Sequence, residues 1–152
     1  MHTVQQILDS KTKPFNTVTP DTRVIDALNL LNSVNLSYLV VMNDDIYKGI
    51  FSERDYSRNV ILKGRTSATT TVAEVMTTDL PMVTTADTIE YCMNLINTFK
   101  TRYLLAYDKD GKFAGVVTIH DLLRQVISNK EEVFDSALTH QLINQAERNS
   151  IY

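Results

Sequence analysis

VTPDTRVIDALNLLNSVNLSYLVVMNDD (residues 18–45) and VTTADTIEYCMNLINTFKTRYLLAYDKD (residues 83–110) align without a gap. One inserted residue, Gly111, then brings IYKGIFSERDYSR (46–58) over KFAGVVTIHDLLR (112–124), so that Gly49, Asp55 and Arg58 meet Gly115, Asp121 and Arg124. Self-similarity over so many positions marks a tandem duplication, and the two copies must be read together. In the first, Val24, Ala27, Leu28 and Leu31 follow the i, i+3, i+4, i+7 spacing of an amphipathic helix; in the second, Ile89, Cys92, Met93 and Ile96 do the same. Each stripe is followed by an apolar run (38–42 or 103–107), a polar turn and a second apolar run (48–52 or 113–118), the pattern of a strand hairpin. A helix then starts at Ser52 or Thr118, each three residues before an aspartate, with the spacing of a capping box. Both copies therefore read β-α-β-β-α, and the fold class is α/β.

The helix after Ser52, residues 53–63, should stop at Gly64, a residue suited to the left-handed terminator position. Residues 64–71 form a polar linker, and Thr71 with Glu74, like Thr3 with Gln6, opens a short capped helix. Ser128 and Glu131 repeat the spacing ahead of a C-terminal helix over residues 130–149, whose Val133, Phe134, Ala137, Leu138 and Leu142 would dock on the core or on a partner. The expected boundaries are residues 1–66 for the first domain, 67–130 for the second and 131–152 for a helical tail.

Composition removes several function classes. Among 152 residues there is a single cysteine, Cys92, which forbids an internal disulfide, lies on an apolar stripe as inert core, and suits a reduced cytoplasmic setting. The N-terminal stretch has neither the basic nor the apolar region of a secretory signal, and no run reaches the roughly 18 apolar residues of a membrane span. A net charge of −3 without blocks of like charge argues against a nucleic-acid surface. No H-x-x-x-H, C-x-x-C or acidic calcium loop points to a metal. Ser52, Asp55 and His120 are the residue types of a hydrolytic triad, but no G-x-S-x-G elbow exists and the histidines sit in no motif, so the reading is not an enzyme.

GIFSERD (49–55) and GVVTIHD (115–121) share the form G-h-h-[ST]-x-x-D, where h is apolar. Two copies in register, within matching helices and hairpins, resemble the cystathionine-β-synthase (CBS) domain, and the chain over residues 3–128 is similar to small stand-alone proteins made of two such domains. The resemblance implies a pseudo-twofold pair, a Bateman module, that binds adenosine-containing ligands such as AMP, ADP, ATP, NAD or S-adenosylmethionine in two related clefts and acts as a sensor without chemistry. AMP comes first among these ligands, and no cofactor is required. By the same resemblance Asp55 and Asp121 each bind a ribose diol, while Ser52 and Thr118 contact ribose or phosphate. Thr78, Leu80, Met82, Tyr103 and Leu104 would close the first cleft, and Asn16, Thr17, Tyr38 and Leu39 the second. It also implies that apolar helical faces, here Val24/Leu28/Leu31 and Ile89/Met93/Ile96 with the helices after Ser52 and Thr118, pair two copies into a flat homodimer.

The residue chemistry suits a nucleotide. An ionised carboxylate accepts from both hydroxyls of a diol, and free N–H groups with the dipole at a helix start favour phosphate. Arg54, Arg58 and Arg102 would give the first cleft three cations, while His120 and Arg124 serve the second, with His120 tuning phosphate affinity near neutral pH. The bland reading stays open beside this one: [ST]-x-x-D is a plain helix cap, the arginines are solvated surface, and the protein is a ligand-free module with vestigial clefts that docks an unnamed downstream protein.

Overall fold

Each copy builds one three-stranded sheet. In the first, β1 (Thr17–Val18) runs parallel to β2 (Tyr38–Asn43), which pairs antiparallel with β3 (Ile46–Ser52). β4 (Met82–Thr84), β5 (Tyr103–Tyr107) and β6 (Phe113–Thr118) repeat this order. The hairpins even share a register shift, between Val41 and Met42 and between Ala106 and Tyr107. Helices α2 (Val24–Val34) and α4 (Ile89–Phe99) supply the crossovers that parallel pairs require. Both end on a left-handed residue, Asn35 (φ 54°) and Lys100 (φ 52°).

The computed structural model describes residues 2–11, 15–128 and 136–148. They divide into two compact units, one being Phe15–Asp79 and the other the described residues of Met1–Pro14 with Leu80–Tyr152. The segment preceding each hairpin copy explains this division. In the first unit the 310 helix Val72–Glu74 docks by Val72 N–H to Thr22 O (2.9 Å) and Ala73 N–H to Pro20 O (3.1 Å). In the second, α1 (Val4–Asp9) docks by Val4 N–H to Asp87 O (2.9 Å) and Gln5 N–H to Thr85 O (3.0 Å). Both segments carry the expected capping boxes, Thr71/Glu74 and Thr3/Gln6.

The helical stripes do not remain available for a second copy. Val24, Ala27 and Leu31 are buried with Leu39, Val41, Phe51 and Val60 in the first core, and Leu28 packs against it. Ile89, Met93 and Ile96 are buried with Cys92, Leu104 and Val117 in the second. A fully buried aliphatic side chain gains roughly 1.5–3 kcal/mol over an exposed one, so each sheet claims its own helix. Val24, Leu31, Ile89, Met93 and Ile96 therefore serve their own cores, contrary to the expectation that they face a second copy.

Helix α6 (Ser136–Arg148) docks on the second core through Leu138 and Leu142. Gln145, buried beside them, donates from Nε2 to Thr101 O at 2.9 Å and so satisfies a carbonyl just past the end of α4. Val133, Phe134 and the Ser128–Glu131 cap extend outside the described residues.

The helix after Ser52 differs from expectation. It is α-helical only over α3 (Glu53–Asp55) and continues as a π-helix, Tyr56–Ile61, closed by Leu62 N–H to Ser57 O (3.1 Å) and Arg65 N–H to Val60 O (2.9 Å). The wider turn keeps Val60 in the core while Asn59 Nδ2 donates to Val75 O at 3.2 Å. Gly64 does end the segment, at φ 73°. Helix α5 (Ile119–Ser128) is the regular counterpart in the second copy.

Candidate ligand-binding site

Asp55 is buried at the start of a helix and is held entirely by neutral donors among the bonds the structure gives it. Its Oδ2 accepts from Ser52 N–H and Ser52 Oγ, both at 2.9 Å, and its Oδ1 accepts from Thr77 Oγ1 at 2.8 Å. Asp55 N–H returns a bond to Ser52 Oγ at 3.3 Å, completing the cap. Burial pushes the carboxyl above its ordinary value, against the Thr77 and Ser52 bonds and the charge of Arg54, which pull it down.

Thr77 reaches Asp55 because its backbone is pinned. Thr77 N–H donates to Ile50 O at 2.8 Å and Ile50 N–H to Thr77 O at 2.9 Å, an isolated bridge on the free side of β3. The bridge passes over Gly49, where a Cβ would lie 3.0 Å from Thr77 O and nearer still to the Met76 side chain. The glycine of G-h-h-[ST]-x-x-D is thus tied to the aspartate through Thr77, a residue the sequence reading passed over in favour of Thr78.

Asp121 has the same cap but charged neighbours. Thr118 N–H donates to its Oδ2 at 2.9 Å, and Asp121 N–H donates to Thr118 Oγ1 at 3.1 Å. Arg124, one turn on and mostly exposed, pairs with Oδ1. Lys11, from the segment after α1, brings its Nζ to 2.8 Å from Oδ2 and also donates to Val116 O at 2.7 Å. Val116 is the counterpart of Ile50. A single ammonium therefore makes both bonds that Thr77 makes in the first unit with its N–H and its hydroxyl.

The remaining expected residues are distributed as follows. Tyr38 pairs with Ser52 and Tyr103 with Thr118 across the hairpins, so each tyrosine flanks the capping residue of its own copy. Leu39 and Leu104 have no exposed surface, which leaves only their backbone to offer a ligand. Asn16 and Thr17 lie in the unit of Asp55, where Asn16 O accepts from Val40 N–H at 2.8 Å. Leu80, Met82 and Arg102 lie in the unit of Asp121. Met82 and Thr78 are exposed, as is Arg58 in the π-helix, and Arg54 is half-buried. Arg102 is buried with its carbon Cζ 5.8 Å from the Tyr103 ring centroid, and its Nε has no hydrogen-bond acceptor among the described residues. His120 is half-buried, and its Nε2 likewise lacks a partner.

Cys92 is buried, and desolvation, with the charge of Asp87 adding to it, pushes its thiol up to about 12, which makes it a poor nucleophile. No cluster of metal-ligating side chains occurs among the described residues, and none of their helices is long and apolar enough to cross a membrane.

The sequence pattern of the CBS domain matches residues 4–61 and again 72–128. The chain belongs to the CBS-domain family. It is a protein with two such domains, and it is 31% identical over 139 residues to the mitochondrial CBS domain-containing protein CBSX3 of Arabidopsis thaliana, covering 86% of this chain and 67% of that one. Among solved structures, a CBS-domain protein from Burkholderia ambifaria MC40-6 superposes with a TM-score of 0.77 at 34% identity, over 85% of this chain and 96% of that one. CBSX2, solved in complex with AMP, superposes with a TM-score of 0.68 at 27% identity, over 84% of this chain and 98% of that one.

Proposed function

We propose that this CBS pair is a non-catalytic regulatory sensor for an adenosine-containing ligand, with AMP the first candidate. The observation that carries the reading is the state of Asp55: a desolvated carboxylate at a helix start, braced by Ser52 and Thr77 through neutral bonds that leave acceptor capacity for a diol. The AMP complex of CBSX2, a similar protein, supports the ligand class. Ser52, Arg54, Asp55 and Arg58 are the residues proposed to contact the nucleotide from the first unit. A cytoplasmic homodimer that signals to a downstream protein completes the reading.

For the second copy, one observation favours the ligand-free alternative. Asp121 accepts as many bonds as Asp55, but two of the three come from the cations Arg124 and Lys11, so a ribose hydroxyl at either oxygen competes with an ion pair.

Calorimetric titration of AMP into the wild type and Asp55→Ala tests the sensor reading. Loss of two charge-assisted bonds should weaken binding by about 2–4 kcal/mol, roughly 30- to 1,000-fold, in a variant that still folds. Wild-type affinity in Asp55→Ala would reduce the motif to a helix cap.

A further inference from the structure

We propose that Lys11 is a built-in occupant of the second copy's aspartate, so that a diol-bearing ligand there and the docked Lys11 side chain exclude one another. The inference rests on the reading of G-h-h-[ST]-x-x-D as a ribose-binding motif and adds a regulation to it.

The two copies solve one local problem by different means. Each has a β-strand carbonyl, Ile50 O or Val116 O, and a motif aspartate that take donors from a docked capped segment, which follows the aspartate in the first unit and precedes it in the second. In the first unit Thr77 supplies them from a backbone fixed by reciprocal bonds to Ile50, and its hydroxyl occupies one face of Oδ1. In the second, both donors come from one Lys11 ammonium at the end of a flexible four-carbon stem. The Thr77 contact persists as long as β3 does. The Lys11 contact can be surrendered by rotation of a side chain, with no strand pairing broken.

Geometry also sets what is in competition. Lys11 is 15% exposed and Asp121 4%, so the pair is largely withdrawn from water, where a charge-assisted bond is strong. Its Oδ2 is shared by Lys11 and the Thr118 N–H, and its Oδ1 is taken by Arg124. Asp121 accepts three bonds, as Asp55 does, but a cation stands at each of its oxygens, so a ribose diol meets Arg124 at Oδ1 and Lys11 at Oδ2. Arg124 is largely exposed and gives way at little cost, but it frees a single oxygen, whereas a diol seeks two. Displacing Lys11 frees the second. The same displacement loosens the link from residue 11 to β6, so ligand at the second copy is reported at the N-terminal segment.

The test isolates the second copy by working in an Asp55→Ala background and uses AMP as the probe. Lys11→Met keeps the stem and removes the competing donor, and AMP should then bind about 10- to 100-fold tighter than to Asp55→Ala alone, the worth of one charge-assisted bond. Binding that is silent in Asp55→Ala and emerges in Asp55→Ala/Lys11→Met supports the inference equally. A second measurement needs no change at residue 11. Trypsin cuts after Lys11 only when that side chain is free, while the bond after Lys13 precedes a proline and resists it. Saturating AMP should therefore speed cleavage after Lys11 in Asp55→Ala, followed by mass spectrometry. Equal or weaker affinity on Lys11→Met, or cleavage that AMP leaves unchanged or slows at a concentration at which Asp55→Ala binds it, overturns the gate while leaving the sensor reading intact. A wild type that binds no AMP, ADP, ATP or NAD overturns both.

Discussion

Gly49→Ala examines the coupling between strand and aspartate. The new Cβ would stand 2.7 Å from Met76 Sδ, 2.9 Å from Met76 Cγ and 3.0 Å from Thr77 O, all inside ordinary contact distance. Met76 can swing its thioether aside. Thr77 O cannot move without lengthening its 2.9 Å bond from Ile50 N–H. Overpacking of this kind costs about 1–3 kcal/mol, and a weakened backbone bond lies within the same range. Taking about 2 kcal/mol, the melting temperature of a chain this long should fall by roughly 4–8 °C. The assay is thermal unfolding of wild type, Gly49→Ala and Gly49→Ala/Met76→Ala. The double variant should not return fully to the stability of Met76→Ala alone, because the carbonyl clash remains. A useful contrast is Gly64→Ala, which meets nothing within 4 Å but sits at φ 73°, so its cost of about 1 kcal/mol is purely conformational. A melting temperature for Gly49→Ala within about 1 °C of wild type would show that the bridge yields freely and refute the argument.

Three more outcomes are expected. Because burial raises the Asp55 carboxyl in the folded protein, the native state takes up a proton more readily than the unfolded chain, and stability relative to Asp55→Asn should increase as pH falls from neutrality towards about 4. A difference in melting temperature that is flat across that range, or of opposite sign, would mean that the Ser52 and Thr77 bonds outweigh burial. Cys92 should resist a thiol-specific disulfide reagent at pH 8 in the native protein and react fully on unfolding; native-state labelling at the rate of a free thiol contradicts its burial. Leu142→Ala, which empties a fully buried position where α6 meets the second core, should cost about 2–5 kcal/mol by chemical denaturation, and a loss under about 1 kcal/mol would detach α6 from that core.

The duplicated pattern carried most of the fold. Hydrophobic spacing located α2, α4 and the four hairpin strands because those features repeat locally, with periods near 3.6 and 2. The motif aspartates and their caps were legible for the same reason: Ser52 to Asp55 and Thr118 to Asp121 are single turns of chain. The π-helix was not, since i to i−5 bonding leaves no mark on a pattern that a regular helix also satisfies. Thr77 and Lys11 were missed because each meets its aspartate across a long loop of chain, 22 residues for Thr77. A signal did exist: Thr71-x-x-Glu74 and Thr3-x-x-Gln6 are matching caps, and the residues just beyond each deliver the donor. The stripes Val24/Leu28/Leu31 and Ile89/Met93/Ile96 were seen correctly but matched to the wrong surface, because periodicity reveals that a face is buried and not what buries it.

The discontinuity of the second unit has a bearing on how the chain is made. Residues 2–11 leave the ribosome ahead of the rest of their unit, and the groups that α1 and its cap bind, Thr85, Asp87 and Thr88, are added only after the whole of Phe15–Asp79. At translation rates of about 5–20 residues per second, that interval is on the order of 4–15 s. Throughout it Val4, Ile7 and Leu8, which end fully or almost fully buried, have no native surface to cover them, while the contiguous first unit has every residue it needs by the time Asp79 is added. A nascent chain stalled before Leu80 would present this apolar strip to any chaperone at the exit tunnel.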